Sequence, residues 1–293
     1  MQLTVFEKGF NFSQDGPGNR LVLHLQGCNM RCPWCANPEG MPIDPPIMAL
    51  TPEVPEWVCP HGAVKDGQLD RIICKTCPDR ACITLHPNKH LACRAQTKST
   101  RAWLDEILSA RPMFFSGGGI TLTGGEVGMQ LPAAIQLLKL CQEQAIHTAI
   151  ESNLTHTQMP SIYPHLSLLM ADYKHHDPRA LLHVCGASAA HIERNFCLAL
   201  DAGLPVIARL PLINGFNAGI DEIPGFIAAF KRIAAHAQPG QFSIELLRYH
   251  EYGVDKWAQC GLQYSMKDGA VAAGTLLAFK DAFSSAGFTI VDT

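Results

Sequence analysis

From residue 99 onward, apolar strand-like runs alternate with amphipathic helical patterns. That alternation narrows the fold more than any other feature of the 293-residue chain. "RAWLDEIL" sets Trp103, Leu104, Ile107 and Leu108 at helical spacing, behind the capping candidates Ser99 and Thr100. "GITLTGG" reads as a strand entering a turn, "LPAAIQLLKLCQEQ" as a helix and "HTAIES" as the next strand. "LSLLMADYK", "HIERNFCLALDAG", "LPVIARLPL", "EIPGFIAAFKRIAAHA", "FSIELLRY", "GTLLAFKDAF" and "FTIVD" continue the pattern. Such an order predicts an α/β fold, a parallel sheet with right-handed crossovers and helices outside it. With the early strand "RLVLHLQ" there are about six repeats. That suits a partial (β/α)6-type barrel better than eight-fold closure, with functional groups at the C-terminal ends of strands.

Residues 37–96 break the pattern. "MPIDPPIMALTPEVPEWVCP" is proline-dense and without period, and Cys59, Cys74, Cys77, Cys82 and Cys93 belong to the same stretch. It reads as a module inserted into a barrel formed by residues 1–36 and 97–293. The chain has 12 cysteines, and "MQLTVFEKGF" lacks the apolar core of a signal peptide. The expected location is the cytoplasm, where clustered cysteines read as metal ligands rather than disulfides. Of the scattered Cys141, Cys185, Cys197 and Cys260, Cys141 and Cys197 fall in helical patterns and read as inert buried thiols. A net charge of −3 offers no basic field for nucleic acid or an anionic membrane. "GAVAAGTLLAF" is too short to span a bilayer.

The stretch "GCNMRCPWCANPE" follows the first expected strand and spaces Cys28, Cys32 and Cys35 as C-x3-C-x2-C, with Trp34 before the last. Three thiolates on a [4Fe–4S] cluster leave one iron for a ligand from outside the protein. The same residues also offer a zinc half-site at Cys32 and Cys35. In "SGGGITLTGGE", Gly124 and Gly125 let backbone approach a ligand closely, and Glu126 offers an acceptor to an ammonium group. A plain glycine-rich turn has the same composition. His175 and His176 read as surface histidines.

Taken in order with "SQDGPGNR" (13–20), "DYK" (172–174), "RLPLINGFN" (209–217) and "RYHEYGVDKW" (248–257), these motifs form a set. The chain resembles the radical S-adenosylmethionine (SAM) enzymes, and among them the glycyl-radical-enzyme activating enzymes. "CPWCANPE", "GGEVGMQ" and "YSMKD" resemble the pyruvate formate-lyase 2 activating-enzyme type. The resemblance implies a cluster on Cys28, Cys32 and Cys35, with the amino and carboxylate groups of SAM on the open iron. It implies that Gly124, Gly125 and Glu126 bind the amino end of SAM and that Lys174 and Arg209 meet its carboxylate or neighbouring polar groups. His250 would contact the ribose or adenine side, Trp34 would pack near the adenine, and Asp15 would face an incoming glycine peptide. Glu151, Ser152 and Asp172, with backbone near Met170, match a monovalent-cation site of some relatives. The implied reaction is reductive cleavage of SAM and hydrogen abstraction from a glycine of a partner glycyl radical enzyme, with a flavodoxin- or ferredoxin-type electron donor. The sequence departs from the family at Val127, where proline is frequent, and at Leu154, where the local turn and the cation site are at issue. The rival readings are a radical SAM enzyme acting on a small molecule and a ferredoxin-like electron carrier. "DGPG" and "YHEYG" weigh against the first, and a carrier has no use for the Gly-Gly-Glu turn.

The insertion keeps fragments of a ferredoxin pattern, C-x2-C-x2-C-x3-C-P. Cys59-Pro60 resembles the end of one run, and Cys74-x2-Cys77-x4-Cys82 the start of another. Cys59 completes a set of four and Cys93 is the alternative. Five thiols cannot fill two four-thiolate sites, so the expectation is one auxiliary [4Fe–4S] cluster, with structural zinc or no metal as the alternatives.

Overall fold

The computed structural model describes residues 1–12, 14–115 and 117–292. Ser13 and Ser116, which open "SQDGPGNR" and "SGGGITLTGGE", lie outside the described residues. The strands are β1 (Gln2–Phe12), β2 (Asn19–Leu25), β3 (Gln96–Ser99), β4 (Gly119–Gly124) and β5 (His147–Ser152). After them come β6 (Leu168–Asp172), β7 (Val206–Leu212), β8 (Phe242–Arg248) and β9 (Ile290–Val291). They form one nine-stranded sheet in the order β9-β8-β7-β6-β5-β4-β2-β1-β3. Every pairing from β2 to β9 is parallel. β1 runs antiparallel to β2 and to β3.

The expected strands are β2 and β4 to β9, β9 being the short last one. The antiparallel edge was not expected. β1 borrows its second partner, β3, from the far side of the insertion, so no local pattern announces the pairing. The insertion thus leaves after the three-cysteine loop and returns to the edge of the same sheet.

The helices are α1 (Thr100–Ala110), α2 (Leu131–Glu143), α3 (Pro178–Cys185), α4 (Ile192–Asp201), α5 (Ile223–Ala234), α6 (Val254–Gln259) and α7 (Ala273–Ser285). Ser99 caps α1 by accepting from the Ala102 N–H at 3.1 Å. α3 was not anticipated, although Asp177 caps it, Pro178 fills its first position and left-handed Gly186 ends it. Among the described residues no helix is long and apolar enough to cross a membrane.

Strand alternation divides the sheet into two chemistries. Leu21, Leu23, Leu25, Ile120, Leu122, Ile150, Leu169, Leu210 and Ile244 belong to the main apolar core. The intervening positions carry Arg20, Thr121, Thr123, Glu151, Asp172, Arg209 and Glu245. That second face carries a polar network beside a small apolar cluster of Ala149, Leu168 and Met170. Residues 37–96 pack around a separate apolar cluster of Ile47, Val54, Val58, Val64, Cys82 and Leu91. Two ribbons and two five-residue helices, Arg71–Lys75 and Ala81–Leu85, complete this segment.

Candidate active site

The three-cysteine loop leaves the C-terminal end of β2 and is closed at its base by two backbone bonds. Gly27 donates to Gly40 at 2.8 Å and Cys28 to Met41 at 2.9 Å. Within the loop, the Met30 N–H points at Cys28 Sγ and the Asn37 N–H at Cys35 Sγ, each at 3.4 Å. From outside, the Trp257 indole N–H on α6 donates to the Cys35 carbonyl at 2.9 Å. Gly253 lies so close that a Cβ there would come within 2.7 Å of Ala36 Cα and the Cys35 carbonyl oxygen. Burial pushes the Cys28 and Cys35 thiols up to about 12. The neighbouring Cys185 thiol, and then burial, raise Cys32.

Such thiols lose their protons when a cation arrives to offset the buried charge. A single zinc ion would gather its thiolates to about 4 Å of one another. Among the described residues, the ligand groups packed within 4.8 Å are His61–Cys77–Asp79 and His175–His176–Glu222, and the three thiols are not such a group. An all-thiol set, spaced more widely than one ion needs and aimed at by backbone N–H groups, fits an iron–sulfur cluster.

The Gly-Gly-Glu turn is built against that loop. Gly124 has φ +104°, and a Cβ on it would lie 2.6 Å from His24 Cα and from Leu25 N. A Cβ on Gly125 would lie 2.2 Å from the Gly27 carbonyl oxygen. The Gly125 and Glu126 N–H groups donate to Leu25 and Gly27 at 2.8 and 2.7 Å. Glycine is therefore required by the approach of protein backbone, whatever else binds there. The buried Glu126 carboxylate accepts from the Gly128 N–H at 2.9 Å, the Ser152 hydroxyl at 2.7 Å and the Asn153 N–H at 2.8 Å. Burial raises its pKa against those donors. Three of its four acceptor positions are used, leaving one.

Cys28, Cys32 and Cys35 share a cavity of about 280 Å³ with Trp34, Gly124, Gly125, Glu126, Lys174, Arg209 and His250. Trp34 leans on Phe216 with ring centres 4.9 Å apart. The His250 ring stacks on the exposed Tyr252 at 4.5 Å. Lys174 donates to Asp172 at 2.5 Å; burial alone would lower its pKa, but Asp172 and Cys32 carry it above the usual lysine range. Among the described residues, Arg209 donates to Glu245 at 2.7 Å, to Glu151 and to the Gln14 carbonyl. Burial pushes Glu151 up to about 7 against the pull of Arg209. The carboxylates of the implied cation site thus already face cations of the chain itself.

Asp15 is not among the residues lining this cavity. Its side chain accepts from Asn11, and its carbonyl accepts from the Thr121 hydroxyl at 2.7 Å. Arg20, fully buried, donates to Thr121 at 2.7 Å and to the Pro17 carbonyl at 3.2 Å. The "DGPG" loop is therefore tied into the same polar network as Arg209.

His175 is not a surface residue. It is buried, its Nδ1 accepts from the Asp177 N–H at 3.0 Å, and its Nε2 pairs with the Phe216 carbonyl at 3.2 Å. That pairing fixes the proton on Nε2 and leaves neither nitrogen for a metal. His176 is half-buried and bonds Glu222 at 2.6 Å. The reason is Phe226 on α5, which the histidine pair covers. Val127 is buried at the start of a single 3-10 turn, and Leu154 keeps the turn at φ +54°.

In the insertion, Cys59, Cys74, Cys77 and Cys82 line one small pocket. N–H groups of Ala63 and Arg80 point at Cys59 and Cys77 Sγ at 3.4 and 3.3 Å. Cys93 is outside that lining and takes the Arg80 guanidinium at 3.4 Å. Sequence reasoning gave no role to Trp257, although it closes the quoted "RYHEYGVDKW", and none to Cys185.

The family model described as the radical SAM superfamily matches residues 22–225. The chain is 31% identical to the choline trimethylamine-lyase activating enzyme of Oleidesulfovibrio alaskensis, over 86% of this chain and 85% of that protein. It is 30% identical to the isethionate sulfite-lyase activating enzyme of Desulfovibrio desulfuricans, over 86% and 84%. Streptococcus suis SuiB bound to the precursor peptide SuiA shares the fold at a TM-score of 0.54 and 11% identity, over 92% of this chain and 48% of that one. The chain belongs to the radical SAM superfamily, among its glycyl-radical-enzyme activating enzymes.

Proposed function

We propose that this protein cleaves SAM reductively at a [4Fe–4S] cluster held by Cys28, Cys32 and Cys35, and so generates a glycyl radical on a partner glycyl radical enzyme. The observation that carries this reading is the shared cavity of the three thiols with the Gly-Gly-Glu turn, Lys174 and His250. When bound, the cluster and SAM supply the one-electron chemistry. The chain supplies position and charge. Lys174 and the Glu126 turn orient the two ends of the amino acid part of SAM, His250 and Trp34 hold the nucleoside side, and Arg209 braces the wall between cavity and "DGPG" loop.

Asp15 and its loop receive the partner's glycine segment in this reading. Residues 37–96 act as a ferredoxin-like insertion carrying one auxiliary cluster on Cys59, Cys74, Cys77 and Cys82, fed by a flavodoxin- or ferredoxin-type donor in the cytoplasm. Support comes from the convergence of those four thiols and the separation of Cys93.

The test is anaerobic reconstitution followed by reduction with SAM. 5′-Deoxyadenosine and methionine are the expected products, abolished by Cys28→Ala, Cys32→Ala or Cys35→Ala in a chain that still folds. Undiminished 5′-deoxyadenosine from the triple variant sinks the assignment. A glycyl-radical EPR signal on an added partner separates this function from a small-molecule radical SAM enzyme.

A further inference from the structure

A second cavity, of about 590 Å³, opens between the insertion and the end of α6. Its wall is stiffened by Pro38, Pro42, Pro45 and Pro46, whose fixed φ leaves little backbone freedom to lose on contact. Arg71, Lys75 and Arg80 line it, and Asp44 is the acid on the same wall. Asp44 takes Arg80 at 2.9 Å, which leaves the other two cations uncompensated. Arg71 is half-buried and donates to two carbonyls, Ile47 of the insertion at 2.6 Å and Gln259 of α6 at 2.7 Å. Gly261 makes room for it, since a Cβ there would come within 2.1 Å of Arg71 Nε. Lys75 is exposed and, among the described residues, meets no carboxylate. Leu262, 41% exposed, adds an apolar edge. In a chain of net charge −3 this is a built positive face.

The surroundings of that face are the two cysteine sets. Cys74 and Arg80 line this cavity and the four-thiol pocket as well. Pro38 opens the turn Pro38–Gly40, whose Gly40 carbonyl closes the base of the three-cysteine loop. We propose that the face docks an acidic one-electron carrier protein, with Arg71 and Lys75 against its carboxylates and Leu262 against its apolar surface. The inference rests on the reading of the chain as an enzyme that cleaves SAM reductively. Each cleavage consumes one electron, so one reduced carrier is oxidised per turnover. Electron-transfer encounters are small and short-lived, and opposite charge sets their rate more than deep burial does. A preformed positive face bordering both cysteine sets meets that need.

The experiment measures 5′-deoxyadenosine formation by the reconstituted full chain, once with a reduced acidic flavodoxin and once with dithionite. It compares wild type with Lys75→Glu, Lys75→Arg, Leu262→Asp and Lys139→Glu, the last an exposed position on α2 that controls for net charge. At low salt and sub-saturating flavodoxin, Lys75→Glu is expected to be about three- to ten-fold slower, with the deficit shrinking as salt rises. Leu262→Asp is expected to slow the same reaction, so failure of one variant to load iron leaves the comparison intact. Lys75→Arg, Lys139→Glu and every dithionite rate are expected to match wild type. Wild-type speed with flavodoxin in both Lys75→Glu and Leu262→Asp overturns the proposal. So does an equal loss in Lys139→Glu, a loss shared with dithionite, or a wild type that dithionite drives and flavodoxin does not. A lower glycyl-radical yield from Lys75→Glu under dithionite gives the face to the partner enzyme and overturns it too. A wild-type chain that makes no 5′-deoxyadenosine even with dithionite overturns the functional reading itself, so the two failures are distinguishable.

Discussion

The indole nitrogen of Trp257 donates to the carbonyl oxygen of Cys35 at 2.9 Å, joining α6 to the three-cysteine loop across 222 residues of sequence. Lys256 reinforces the junction, donating to Asn37 at 2.9 Å and pairing with the buried Glu39 at 2.6 Å. The loop is thus held from the C-terminal part of the chain as well as by its own strand. Trp257→Phe keeps most of the apolar ring and deletes the donor, which leaves the Cys35 carbonyl short of a partner at about 1–3 kcal/mol. The expected outcome is faster loss of iron to a chelator from the reconstituted protein, with little change in far-UV circular dichroism. Iron release at the wild-type rate would remove the clamp from the account.

Lys174 and His250 line the cavity but hold no cysteine directly. Lys174→Ala and His250→Ala are expected to weaken SAM binding while iron content stays constant. Loss of one or two polar contacts corresponds to about 1–3 kcal/mol, or roughly 5–150-fold in affinity. Calorimetric titration of the cluster-loaded variants with SAM checks this, and wild-type affinity in both returns them to a structural role.

The insertion is tested by counting iron. Reconstituted protein is expected to hold about eight irons, falling to about four in a Cys74→Ser/Cys77→Ser variant. Cys93→Ser is expected to leave the count unchanged, because Cys93 faces Arg80 rather than the four-thiol pocket. A wild-type count of about four, or zinc retained after iron loading, refutes the auxiliary cluster and leaves the SAM site untouched.

Leu154 sets two effects against each other. It adopts φ +54°, a left-handed conformation that costs a leucine roughly 1–2 kcal/mol. It is also fully buried, and emptying such a site costs about 3–5 kcal/mol. The burial term is larger. Leu154→Gly is therefore expected to destabilise by about 1–4 kcal/mol in urea denaturation, despite relieving the strain. Net stabilisation by glycine would mean that the strain dominates. The turn survives with leucine because Asn195 bonds the Leu154 carbonyl at 2.9 Å and Ser152 accepts from its N–H at 3.0 Å.

The strand–helix alternation, the parallel sheet and the place of the three-cysteine loop after its strand were legible because each is written in neighbouring residues. Hydrophobic period marked the parallel strands, and C-x3-C-x2-C with Trp34 marked the loop as the candidate ligand set. What tertiary structure decided was everything set by residues far apart in the chain. Arg209 reads in sequence as a cation at a strand end; only the fold brings Glu151, Glu245 and the Gln14 carbonyl around it. His175 reads as a surface residue until α5 packs against it. Cys185 belonged to four scattered cysteines until the Arg31 N–H drew the end of α3 to Cys32. Local pattern encodes which face of an element is buried, since periodicity is a property of one segment. Which partner meets a buried polar group depends on how segments cross, and no single segment carries that information.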